Sequence, residues 1–170
     1  MLPLPRYAAQ WFDQPTNPAA GEGALSFRVV RSAQARWHGT VSEGNGRITL
    51  GSGAFDGPYS LRARVEDVER ATNPEELLGA AEAGCFTMSL ASLLGEAGHP
   101  ARDIRTTARV TLASAGGGFD ITRIELTTVG DVPGVDSARF ADLAQQAKNC
   151  TISRALAGTE ITLEAGLAGD

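Results

Sequence analysis

A chain of 170 residues with 42% hydrophobic and 21% charged residues has the composition of a soluble domain able to bury its own core. Its net charge of −5, with no block of lysines and arginines, argues against an electrostatic nucleic-acid partner. Two cysteines, Cys85 and Cys150, are too few for a secreted disulfide framework, and with only His38 and His99 beside them no metal-ligand spacing arises.

Residues 1–30, with their prolines and the tract NPAAGEGA, read as an N-terminal arm or extension, and 31–170 as a single domain. The start, MLPLPRYAAQWFDQP, lacks a charged segment followed by an apolar run and does not read as a signal peptide. The longest uncharged helical run, residues 83–95, is too short to span a bilayer. A cytoplasmic location without a membrane partner is the expectation.

Strand character runs through SFRVVR, AQARWHG, RITLGSG and PYSLRARVE, with EGNG (43–46) and DGP (56–58) as turn signals, so an antiparallel meander is expected first. A helix follows. Asn73 is its candidate N-cap, Pro74 suits the first helical position, and Glu75 and Glu76 favour the positive end of the dipole. Small and apolar residues fill every side from Ala83 to Leu94, which predicts a central helix covered on several sides. Gly98, His99 and Pro100 mark its end. Next, IRTTARVTLASA and FDITRIELTTVG alternate like strands across GGG (116–118). Asp136 or Ser137 caps an amphipathic helix, ARFADLAQQAK. Asn149-Cys150 opens the short segment TISRAL, and EITLEA is the last strand. The order β-β-β-α-β-β-α-β, without regular βαβ alternation, predicts an α+β fold.

Most candidate groups have structural explanations. Glu75 and Glu76 are accounted for as first-turn acids, and His99 as a helix stop signal. His38 reads as a strand residue, and Glu66, Asp67, Glu69 and Arg70 as a solvated loop. Arg62 and Arg64, two apart in an expected strand, would share one face. If that face met the central helix, a guanidinium would suit a buried thiolate, which desolvation otherwise disfavours. Pattern leaves that pairing open.

The stretch NPEELLGAAEAGCFTMSLASLLGEAG closely resembles the signature helix of the OsmC/Ohr family (osmotically inducible protein C and organic hydroperoxide resistance protein). The likeness continues through IRTTARVTL, FDITRIELTT, VPGVD and AKNCTISRALAGTEITL, over roughly residues 34–166, and NPEEL with GAAEAGCF looks more like the OsmC branch. The resemblance implies an intertwined homodimer of OsmC-like domains and a thiol-dependent peroxidase that reduces organic hydroperoxides to alcohols. Cys85 matches the peroxidatic cysteine, Cys150 the resolving one, Arg64 the activating arginine and Glu75 the acid that holds it. Arg62 and Glu76 are the rivals for the last two roles. The implied cycle runs through a Cys85 sulfenic acid and a Cys85–Cys150 disulfide, reduced by an external dithiol, with a lipoyl-bearing protein as the suggested carrier. No metal, haem, flavin or nucleotide cofactor is implied.

Several positions depart from the family pattern. Gly84 stands where alanine is usual, Glu82 where histidine or an aromatic is frequent, and Thr151 where proline commonly follows the second cysteine. Alternative readings are a non-catalytic dimer that binds small lipophilic molecules, or a structural protein regulated by its disulfide. One spacing constrains all of them. Glu75 and Cys85 are ten residues apart, about 15 Å of rise on a straight helix, which no carboxylate side chain covers. On an unbroken helix, Glu75 and Arg64 would therefore serve Cys85 of the other subunit.

Overall fold

The computed structural model describes residues 29–66 and 68–169. The chain divides into two units, Met1–Ser32 and Ala33–Asp170, and every described helix and strand lies in the second. The expected arm, 1–30, falls almost wholly outside the described residues, as do Asp67 and the first half of SFRVVR; residues 29–31 form no strand.

Three short strands, β1 (Ala33–His38), β2 (Asn45–Leu50) and β3 (Asp56–Tyr59), make the expected antiparallel meander in the order β1-β2-β3. DGP is not a turn. The reversal comes earlier, at 51–55, and Asp56, Gly57 and Pro58 lie within β3. Pro58 is tolerated because β3 is an edge strand, where a missing N–H breaks no ladder. Few residues of this sheet are buried, Ile48 among them, and Trp37 meets Tyr59 edge-to-face at 5.2 Å.

The segment PYSLRARVE does not continue as a strand. Tyr59 ends β3, and α1 (Leu61–Val65) begins at once, because the Ser60 hydroxyl accepts from the Ala63 N–H and caps the turn. Arg62 and Arg64 consequently leave the shared face expected of them. Arg62 pairs with Glu66 one turn on, in solvent, while Arg64 turns toward the long helix.

That helix, α2 (Pro74–Glu96), is unbroken over 23 residues. The Asn73 side chain accepts from the Glu76 N–H at 2.8 Å and donates to the Ala63 carbonyl at 3.1 Å, joining α1 to the start of α2. At the other end Gly98, with φ of +82°, lets its own N–H bond Gly95 and that of His99 bond Leu94, a Schellman closure. By length and composition α2 would suffice to cross a membrane.

The second sheet, ordered β4-β5-β6, joins β4 (Asp103–Ala115) and β5 (Gly118–Asp131) as an antiparallel hairpin, with β6 (Glu160–Leu167) parallel to β5. Ile124, Leu126 and Thr128 alternate inward from β5. Between β5 and β6 lie α3 (Ser137–Ala147), capped by Asp136, and the short α4 (Thr151–Ala155), which Cys150 precedes as N-cap residue. Phe86, Leu90 and Leu94 of α2 meet Phe140, Leu143, Ala144 and Ala147 of α3 and Leu126 of β5 in one core. Gly79 lets α2 approach closely, since a Cβ there would sit 3.3 Å from Val110.

The fold class is the expected α+β, but the coverage of α2 is not. Its buried residues, Glu75, Gly79, Glu82, Phe86, Leu90 and Leu94, form one stripe. Sheet, α3 and α4 all lie on that side, and Met88 on another face is 75% exposed. One chain leaves most of this apolar helix open.

Asn73 offers a test of how α2 is anchored. Asn73→Ala loses a cap worth about 1 kcal/mol and an amide–carbonyl bond of similar net worth. Asn73→Asp keeps the cap acceptor and loses only the second. Urea denaturation should rank wild type above Asn73→Asp, and that above Asn73→Ala.

Candidate active site

Two places on α2 carry different chemistry. At the N-terminal end, Arg64 donates from Nε at 2.9 Å and from Nη2 at 2.6 Å, both to Oε1 of Glu75. The other Glu75 oxygen is buried without a hydrogen-bond partner among the described residues. The guanidinium also sits over the Phe119 ring, 5.4 Å from its centroid. Of the two rival pairs, the structure joins Arg64 to Glu75; Arg62 goes to Glu66, and Glu76 accepts from the Thr72 hydroxyl at 2.7 Å.

Arg64 and Glu75 open onto a cleft of about 670 Å³ between α1, α2 and β4 that also touches Gly79, Ala83 and Thr106. On its other side Arg64 borders an apolar recess of about 200 Å³ lined by Trp37, Val41, Tyr59, Leu61 and Pro74. Cys85 lines neither one. Because α2 is unbroken, about 15 Å of helix separates Glu75 from Cys85 within the chain.

At the other place on α2, Cys85 is half-buried and Cys150 buried, both as free thiols. The start of α4 brings them together. The Cys85 thiol is influenced by that of Cys150 and by the backbone N–H groups of Ile152 and Thr151. Threonine at 151 makes the second of these donors available, since proline has no N–H. Burial pushes the Cys85 thiol above its ordinary range; the Ile152 N–H opposes this, the Cys150 thiol adds to it, and the Thr151 N–H opposes it. Within one chain the balance favours the thiol over the nucleophilic thiolate.

Ser153, which no sequence motif singled out, completes this cluster. Its hydroxyl lies 3.2 Å from the Cys150 sulfur and donates to Oε1 of Glu82 at 2.6 Å. The spacing Cys150-x-x-Ser153 at a helix start was the available signal, because it puts both side chains on one face. No group of three or more His, Cys, Asp or Glu side chains suited to a metal occurs among the described residues.

A model of the OsmC-like protein family matches residues 66–164. Over 138 residues the chain is 43% identical to the protein named Peroxiredoxin OsmC of Escherichia coli K12, covering 80% of this chain and 95% of that one. The chain belongs to the OsmC-like family. Among solved structures, the organic hydroperoxide resistance protein OhrB of Bacillus subtilis aligns with a TM-score of 0.62 at 26% identity, over 79% of this chain and 97% of the other. An OsmC-like protein of unknown function from Vibrio cholerae gives a TM-score of 0.66 at 19% identity, over 81% and 99%. The OsmC-like fold is thus shared almost end to end with these relatives.

Arg64 and Arg62 should differ in their importance for stability. Arg64→Ala strands Glu75, whose side chain is only 9% exposed, with neither carboxylate oxygen bonded. Leaving such a group unpartnered costs on the order of 1–3 kcal/mol. The Arg62–Glu66 pair is solvent-exposed, and Arg62→Ala should leave the urea midpoint almost unmoved.

Proposed function

We propose that this protein is a thiol-dependent peroxidase that reduces organic hydroperoxides to alcohols. The contact between the Cys85 and Cys150 thiols carries the reading, because a sulfenic acid formed on one has its resolving partner already in place. Identity to a protein named Peroxiredoxin OsmC supports it. The Cys85 thiolate attacks the terminal peroxide oxygen, the O–O bond breaks, and the alkoxide leaves and takes up a proton as the alcohol. Cys150 then displaces the sulfenic hydroxyl as water and closes a Cys85–Cys150 disulfide. A dithiol, carried by a lipoyl-bearing protein on this reading, reopens it by exchange and is itself oxidised to a cyclic disulfide.

The working unit of this proposal is a homodimer, in which Arg64 and Glu75 of one subunit reach Cys85 of the other. Three observations support it: the uncovered faces of α2, a first sheet with few buried residues, and the 15 Å that separates the arginine end from the thiol. Arriving from the partner, a guanidinium offsets the desolvation that raises the Cys85 thiol and restores its thiolate. The aromatic recess beside Arg64 then receives the alkyl or aryl group of the hydroperoxide. We place the protein in the cytoplasm, where a reducing environment returns both cysteines to thiols.

Cys85→Ser should abolish turnover, while Cys150→Ser should react once and accumulate sulfenic or sulfinic acid at Cys85, as mass spectrometry would read. Efficiency should rise from hydrogen peroxide to bulky organic hydroperoxides, by roughly fourfold for each methylene buried. A passive lipophile-binding dimer would consume no hydroperoxide, and a merely regulated disulfide would not turn over with a dithiol. Either result would overturn the enzyme.

Arg64→Ala should slow alkylation of Cys85 at neutral pH and recover at higher pH, because the thiol's titration moves upward. Mixing and refolding inactive Cys85→Ser chains with inactive Arg64→Ala/Glu75→Ala chains should restore activity, since a heterodimer regains one complete site. No recovery despite proven heterodimers would show that each chain builds its own site.

A further inference from the structure

Glu82 is fully buried, lies one helical turn before Cys85 on α2, and has no part in the chemistry described so far. One of its oxygens accepts from the Ser153 hydroxyl; the other is buried without a hydrogen-bond partner among the described residues. A buried carboxyl left half-bonded is costly, and packing alone gives no reason to keep it. The Ser153 hydroxyl has a single hydrogen, committed to Glu82 at 2.6 Å. In its 3.2 Å contact with Cys150 the Ser153 oxygen therefore accepts, and the Cys150 thiol donates. The hydrogen bonds run in one direction, from the Cys150 S–H to Ser153 and from Ser153 to Glu82.

We propose that Glu82, acting through Ser153, takes the proton of Cys150 when that thiol resolves the oxidised Cys85. Ser153 passes its hydroxyl hydrogen to Glu82 and receives the thiol hydrogen, which leaves a Cys150 thiolate and a neutral carboxyl. The thiolate attacks the Cys85 sulfur, a sulfur–sulfur bond forms, and the sulfenic S–O bond breaks. The departing hydroxide takes up the displaced proton, so the step yields one disulfide and one water. Cys150 is buried and cannot hand its proton directly to bulk water, and Ser153 is the group in contact with it that leads to a base. Glu82 is a positioning residue and proton acceptor for the second half-reaction, distinct from the Arg64–Glu75 pair assigned to the first.

The biological purpose of this relay rests on the peroxidase reading, but its test does not. A dithiobis-nitrobenzoate reagent should modify the more accessible Cys85 with a first release of nitrothiobenzoate. Cys150 then displaces the second nitrothiobenzoate as the internal disulfide closes. With the full-length protein, the first release should be little changed in Glu82→Gln and Ser153→Ala. The second release should slow by about 10–100-fold in both, the usual range for losing a general base. Ser153→Thr, which keeps the hydroxyl, should recover most of the rate, an outcome that a purely packing role would not produce. Thermal melts of each variant establish that the fold is intact. A second release at wild-type speed in either Glu82→Gln or Ser153→Ala would overturn the relay, as would its absence from the wild type. A parallel run with an organic hydroperoxide keeps the two claims apart. If Cys85 forms no sulfenic acid there while the nitrothiobenzoate pattern holds, the relay stands and the peroxidase reading falls.

Discussion

The rigidity of α2 is the constraint on which the rest of this protein depends. Twenty-three residues without a break, capped by Asn73 and closed at Gly98, hold Glu75 and Cys85 at a separation that no side-chain motion can cross. The chain therefore carries two separate clusters, which the proposed dimer would join. At one, α1 delivers Arg64 to Glu75; at the other, α4 delivers Cys150, Ser153 and two backbone donors to Cys85 and Glu82. On the proposed reading neither cluster is complete by itself. A guanidinium without a thiolate activates nothing, and a desolvated thiol without a cation remains a thiol.

Both clusters carry a buried glutamate with one oxygen unpartnered among the described residues, and both glutamates lie on the one stripe of α2 that the fold covers. Elsewhere that stripe holds Phe86, Leu90 and Leu94 in a tight apolar core. Placing carboxyl groups on the same stripe sacrifices stability that alanine or leucine would have supplied. The core at the C-terminal end of α2 offsets this cost, so one part of the helix is anchored by apolar packing while the rest carries its polar and thiol groups. The remaining faces of α2 and the first sheet stay largely exposed in the single chain, and these are the surfaces that the proposed dimer would cover.

Two of the three departures noted in the sequence, Glu82 and Thr151, meet at the cysteine pair. Thr151 adds an N–H donor toward Cys85 that a proline lacks, and Glu82 supplies the acceptor at the end of the Ser153 hydrogen bond. In the sequence Thr151 stands directly after Cys150, while nothing local ties Glu82 to either cysteine. The link from Glu82 to Cys150 runs through Ser153, 71 positions along the chain from Glu82, and exists only once α4 packs on α2.

Local signals determined much of this protein directly. Asn73, Pro74 and Gly98 bounded α2, Asp136 began α3, and alternation marked β4 and β5, since caps and periodicity act over a few residues. Resemblance, rather than pattern, picked out Cys85, Cys150, Arg64 and Glu75. Local signals failed where a neighbour overrode them. Ser60 turned an apparent strand into α1, and the edge position of β3 absorbed a proline that looked like a turn. Tertiary structure alone decided which side of α2 is covered and that Ser153 joins Glu82 to Cys150, and it bonded to Glu75 the arginine that resemblance, not pattern, had favoured. Those outcomes depend on the relative placement of elements far apart in the chain, which no short-range propensity encodes.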